Sequence, residues 1–156
     1  LTSKLLDLCN LLQITQVMYE SHKSGISLEV RVNNELKKYY EEVFKEPTVI
    51  PESYTRTGKQ KRYIPDQVVY DAIFEDKHEK SGGTPEKLPQ SVIKMQILGE
   101  ETGKKSYLIY EGENYHYYIH NDPVMKRAIE ISPDVIILSF VELQKHLFDT
   151  MKPIID

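Results

Sequence analysis

Apolar residues in this chain recur at helical spacing in some stretches and gather in short β-branched and aromatic runs in others. Leu5, Leu8, Leu12, Val17 and Met18 fall near a 3.6-residue repeat and predict an amphipathic helix over about 3–21. Leu28, Val32, Leu36, Tyr39, Tyr40 and Val43 predict a second helix over about 26–44, with Ser27 as its N-cap. Tyr, Ile, Val and Phe crowd the segment 61–77, which reads as two strands turning at Asp71-Ala72. A glycine-containing loop at 81–87 leads into a helix reaching about Leu98; Thr84 as N-cap and Pro85 at the first helical position favour its initiation. Strands are expected at 105–110 and 135–139, and helices at about 123–131 and 141–151. The aromatics Tyr115, Tyr117 and Tyr118 read as half-buried sheet residues. This order predicts an α/β fold, a mixed central β-sheet flanked by helices on both faces.

Length and composition narrow the function classes. A chain of 156 residues fits a single domain spanning 1–156, with N-terminal helices over about 3–44 and a core over about 25–150. A net charge of −4 argues against a general nucleic-acid coat, so local charge matters more than the sum. Positive residues gather at Arg56, Lys59, Lys61 and Arg62, and again at Lys77, Lys80, Lys87 and Lys94. No apolar run has the length of a membrane span, so no membrane partner is expected. Cys9 stands alone, which excludes an internal disulfide and fits a reducing cytoplasm. With no base positioned beside it, Cys9 reads as core packing.

The candidate chemistry lies in Tyr63-Ile64-Pro65-Asp66 and Glu75-Asp76-Lys77. On a strand, residues i and i+2 point the same way, so Glu75 and Lys77 share a face. If Asp66 sits on the neighbouring strand, two carboxylates and an ammonium converge. Two carboxylates suit Mg²⁺, which keeps several waters, and the lysine can steady a metal-bound water. The plainer reading makes Asp66 a turn residue and Glu75–Lys77 a weak surface ion pair. Asp71 is a rival ligand better placed as a turn residue, and Glu35 is a weaker substitute for Glu29. His78 faces away from Lys77 and lacks a partner histidine at matching spacing.

Pro65-Asp66 followed by Glu75-Asp76-Lys77 resembles the PD-(D/E)xK signature of the restriction-endonuclease-like nucleases. Gly25-Ile26-Ser27-Leu28-Glu29 is similar to that family's early acid-bearing helix. Lys80-Ser81-Gly82-Gly83-Thr84-Pro85-Glu86-Lys87-Leu88 is similar to the loop and helix that follow its lysine strand. The resemblance implies a restriction-endonuclease-like core and a Mg²⁺-dependent endodeoxyribonuclease, specifically a type II restriction enzyme of prokaryotic or phage origin. It implies Asp66, Glu75 and Lys77 as catalytic residues, with Asp66, Glu75 and Glu29 on the metal. Lys80, Gly83, Thr84 and Lys87 would contact DNA. Double-stranded DNA is the implied partner, and cutting both strands implies a homodimer. The segments 54–62 and 112–123 are candidates for sequence recognition. A repair or recombination nuclease, and an inactive binding or assembly module on the same fold, are the alternatives. The chain departs from the family in the tight separation of nine positions between Asp66 and Glu75, and in placing Asp76, an acid, where an apolar residue is usual.

Overall fold

The computed structural model describes residues 27–45, 48–79 and 84–154, with backbone alone for 48–54. The helix predicted over 3–21, together with Cys9, Lys80 and Gly83, lies outside the described residues. Helix α1 (Leu28–Lys37) opens where Ser27 accepts the Val30 N–H, but it stops short of the expected residue 44. The reason is a competing pairing. Phe44 and Val68 exchange both backbone hydrogen bonds, at 3.0 and 2.7 Å, which draws the chain extended before it reaches the sheet.

Two sheets form. β1 (Thr48–Tyr54) and β2 (Gln60–Tyr63) make an antiparallel ribbon. β3 (Gln67–Val68), β4 (Ala72–His78), β5 (Lys105–Glu111) and β6 (Val135–Ser139) make a four-stranded mixed sheet in that order. β3 is antiparallel to β4, while β4–β5 and β5–β6 are parallel. The expected strand pair over 61–77 is therefore divided, its first half joining the ribbon and its second half the main sheet. Asp71 belongs to the turn, and β4 already starts at Ala72.

A short 3₁₀ turn (Pro85–Lys87) precedes α2 (Leu88–Thr102). Thr84 caps this turn without a side-chain hydrogen bond, and the α-helix proper begins after Lys87. The stretch around Tyr115–Tyr118 is not a strand: it is helix α3 (Glu113–Asn121), which buries Tyr115 and Ile119 four residues apart. α4 (Pro123–Glu130) and α5 (Phe140–Thr150) complete the chain, each started by a side-chain cap, Asp122 and Ser139 respectively. None of the described helices is long and apolar enough to cross a membrane.

Alternation along β4 divides the core. Ala72 and Phe74 pack with α1 and α5, where Phe74 stacks on Tyr107 at 4.7 Å between ring centres. Ile73 packs on the opposite face with Met95 and Leu98 of α2. Leu108 and Tyr110 of β5 pack on Leu88, Val92, Tyr115 and Met125 on that same side. The buried strand register thus fixes where the polar end of β4 must project.

Candidate functional site

Continuing the alternation, Asp76 and His78 project with Phe74 toward α1, and Glu75 and Lys77 project with Ile73 toward α2. The β3–β4 register pairs Gln67 with Phe74 and Val68 with Ile73. One residue further along that register, Asp66 stands opposite Glu75. Directly opposed residues of an antiparallel pair share a face and lie within a few ångströms. Asp66 is anchored there by the Asp76 N–H, which donates to its Oδ2 at 2.7 Å. At this end of the hairpin Asp66, Asp76 and Lys77 meet Glu29 of the first turn of α1, while Glu75 lies buried between Lys77 and Lys94 of α2. Glu29, Asp66, Asp76, Lys77, His78 and Tyr115 are among the residues lining a cleft of about 280 Å³.

Burial governs the charge states. It raises the Asp66 carboxyl above its ordinary range, opposed by the Asp76 N–H and by Lys45 and Lys77. Glu75 is 7% exposed, and burial raises it too, against the pull of Lys77 and Lys94. Lys94 is held below its usual range by burial and by the cations Lys77 and Lys61, while Glu75 works the other way. Its ammonium lies 4.2 Å from the centre of the Tyr63 ring. Lys94 of α2 therefore faces Glu75 rather than the far side of the molecule. At the cleft's other flank Lys45 forms an ion pair with Glu29, so a cation that claims Glu29 must displace an ammonium.

The donor set suits a hard divalent cation that keeps its water. The Glu75 carboxylate is buried with the charges of Lys77 and Lys94 near it. Asp76 Oδ1, on the α1 side of β4, is buried without a partner. No group of three or more His, Cys, Asp or Glu side chains among the described residues is gathered tightly enough to enclose a metal alone. Two carboxylates completed by water and phosphate oxygens is the pattern Mg²⁺ commonly adopts.

Asp76 itself is the surprise of the site. Gln67 Nε2 donates to its Oδ2 at 2.5 Å, and burial, reinforced by Asp66, drives its acid well above the ordinary range. An acid raised on folding holds its proton in the native state after the unfolded chain has lost it. Stability from this group is thus full below the unfolded value of 3.8 and declines as pH rises toward the folded value. Asp76→Asn is expected to raise Tm at pH 7.5 without metal, with the gain shrinking toward pH 4. The asparagine amide can also serve the buried, unpartnered Gln67 Oε1. Thermal melts at both pH values check this; an equal gain at both would rule out a charge effect.

The remaining candidates have other surroundings. Thr84 and Lys87 are exposed on the 3₁₀ turn. Gln90 is exposed on α2. Asp71 lies in the turn before β4, where its Oδ1 accepts from the Tyr40 hydroxyl at 2.9 Å. Glu35 is held by Lys38 at 2.9 Å. His78 bonds Glu111 at 3.0 Å, and Glu111 is gripped by Arg31 through two bonds of 2.7 and 2.5 Å. His78 and Glu111 line a roomier cavity of about 640 Å³ at the carboxyl ends of β4, β5 and β6. The smaller cleft is taken as the candidate site because it gathers Glu29, Asp66 and Asp76 with Lys77, and Asp76 Oδ1 there is buried without a partner. Lys94 and Lys45 are the contributors that sequence spacing could not assign to the site. Comparison with protein-family profiles, with curated proteins and with solved structures returned no match to this chain.

Proposed function

We propose that this chain is a Mg²⁺-dependent endodeoxyribonuclease with a restriction-endonuclease-like core, acting as a homodimer on double-stranded DNA in the manner of a type II restriction enzyme. The observation that supports the reading is the end of the β3–β4 hairpin, where Asp66 accepts the Asp76 N–H at 2.7 Å and Glu75 and Lys77 lie two residues apart on one strand face. In this reading Asp66 and Glu75 hold the cation, and Glu29 joins them after releasing Lys45. When bound, the ion supplies Lewis acidity toward a phosphoryl oxygen and a water acidic enough to attack. Lys77 would steady that water or a phosphate oxygen of the substrate. Lys94, half-buried on Tyr63, adds positive charge where the phosphodiester's own charge would sit.

The raised carboxyls fit this role. Acids kept close by burial resist ionising together until a cation joins them, so metal binding is expected to release protons. Digestion of mixed plasmid and phage DNA with Mg²⁺, and with excess chelator, tests the proposal. Discrete fragments that require Mg²⁺ are expected. Cleavage confined to junctions or damaged duplex would move the reading to a structure-specific nuclease. No cleavage across metals and salts would favour a binding module.

A further inference from the structure

The ribbon of β1 and β2 stands outside the four-stranded sheet and carries a charge unlike that of the chain as a whole. Residues 55–62 are all exposed. They include Arg56, Lys59, Lys61 and Arg62 and no acid, although the whole chain is net −4. The tip is ordered by its own backbone. Thr55 N–H donates to the Lys59 carbonyl at 2.8 Å, Gly58 N–H donates to the Thr55 carbonyl at 3.0 Å, and Gly58 sits at φ +81°. A left-handed φ of that kind strains any residue with a side chain.

The ribbon's base is tied to the candidate site. Tyr63, the last residue of β2, packs against Met95 and Leu98 of α2 and lies under the Lys94 ammonium. Along β2, Lys61 shares the face of Tyr63, whereas Gln60 and Arg62 take the other. Lys61 lies within electrostatic reach of Lys94, and Lys94 of Lys77 and Glu75. Cations therefore run from the ribbon toward the acids, and three residues after Tyr63 the chain reaches Asp66.

We infer that this ribbon is the element that enters the major groove of B-form duplex DNA. This rests on the nuclease reading above and names the surface that delivers the duplex to that site. Two strands about 4.8 Å apart, with their side chains, fit a groove about 12 Å wide. Arg62 and Gln60, on the face away from Tyr63, present the side-chain types that pair bidentately with guanine and adenine edges. Lys61 and Lys94 neutralise phosphates on the path to the acids. The narrow, deep major groove of A-form RNA would not admit the ribbon.

The test uses the full chain in Ca²⁺ with a fluorescent mixed-sequence DNA duplex of about 30 base pairs, a length that spans both sites of a dimer. The competitor is an RNA duplex of the same sequence. The combined variant Arg56→Ala, Lys59→Ala, Lys61→Ala, Arg62→Ala is expected to keep its Tm and Mn²⁺ binding. Its slope of log affinity against log salt should fall by about 3, near 0.9 for each phosphate no longer neutralised. Gly58→Val, which keeps every charge but distorts the tip, should weaken DNA binding with a smaller change in slope. An unchanged affinity and slope in the combined variant would overturn the ribbon and leave the nuclease reading standing. Equal competition by RNA would overturn groove entry. If the unmodified chain binds no duplex at all, both readings fall.

Discussion

Lys77→Ala and Glu75→Gln are each expected to slow single-turnover DNA cleavage by about 10³-fold or more, equivalent to roughly 4 kcal/mol of transition-state stabilisation. The two should fail differently. Glu75→Gln removes a charged ligand, so it should weaken metal binding as well as the cleavage rate. Lys77→Ala should leave Mn²⁺ affinity nearly unchanged, because in the proposed mechanism the ammonium would act on the water and the phosphate. Rapid-quench kinetics with metal titrations separates these outcomes, and circular dichroism confirms that each variant folds. Lys77→Arg should recover little, since a planar guanidinium cannot replace a compact ammonium at a single water. Full activity in Lys77→Ala would reduce Glu75 and Lys77 to a structural ion pair.

The second large effect concerns stability. Arg31 is 5% exposed and grips Glu111 from α1 across to the end of β5, with its guanidinium 5.2 Å from the centre of the Phe140 ring. Burial alone would raise Glu111, but the Arg31 hydrogen bond and charge, helped by His78, hold it below the usual carboxylate range. Removing one member of a buried ion pair costs about 3–5 kcal/mol, and here the lower part of that range applies because His78 still bonds Glu111. For a domain of this size Arg31→Met should lower Tm by about 8–15 °C at neutral pH. Glu111 is lowered on folding, so the stability it contributes is present above its unfolded value of 4.5 and is lost as pH falls through the folded value. The gap between variant and parent should therefore narrow in acid. Adding Glu111→Leu to Arg31→Met should restore most of the loss, because no buried charge then remains alone. Urea melts at neutral and acid pH measure both effects.

These two expectations came from different sources. The alternation from Ala72 to His78 was legible in the chain, and with it the shared face of Glu75 and Lys77. The short turn between Asp66 and Glu75 was equally legible, and it brings Asp66 to the Asp76 N–H. Other features depended on pairings made elsewhere. Phe44 leaves α1 because Val68 offers it a ladder, and nothing in the helical repeat of Tyr39, Tyr40 and Val43 announces that partner. β1 was hidden by Pro47 and Pro51, which read as chain breakers, and an edge ribbon tolerates proline where a central strand does not.

The tyrosines of α3 misled through their β-propensity. Tyr117 is 71% exposed while Tyr115 is 2% exposed, and the better clue was Tyr115 and Ile119 four apart on one helical face. Lys94 and Lys45 were illegible as site residues because each reaches the acids from a different element, and charge meeting across a fold leaves no spacing. Asp76 was conspicuous as an acid at a core-facing position. Gln67, Asp66 and burial explain how the fold holds it there, with its proton retained above the ordinary range.

The most direct test of the central claim is a crystal of the chain soaked in Mn²⁺, with anomalous differences measured at the manganese edge. The account predicts a peak bound by Asp66 and Glu75 at about 2.1–2.2 Å, the bond length expected of a small hard cation. Lys77 should lie beside a water on that ion, and Lys45 should have moved away from Glu29. A peak held by other residues, or none at saturating Mn²⁺, would contradict it.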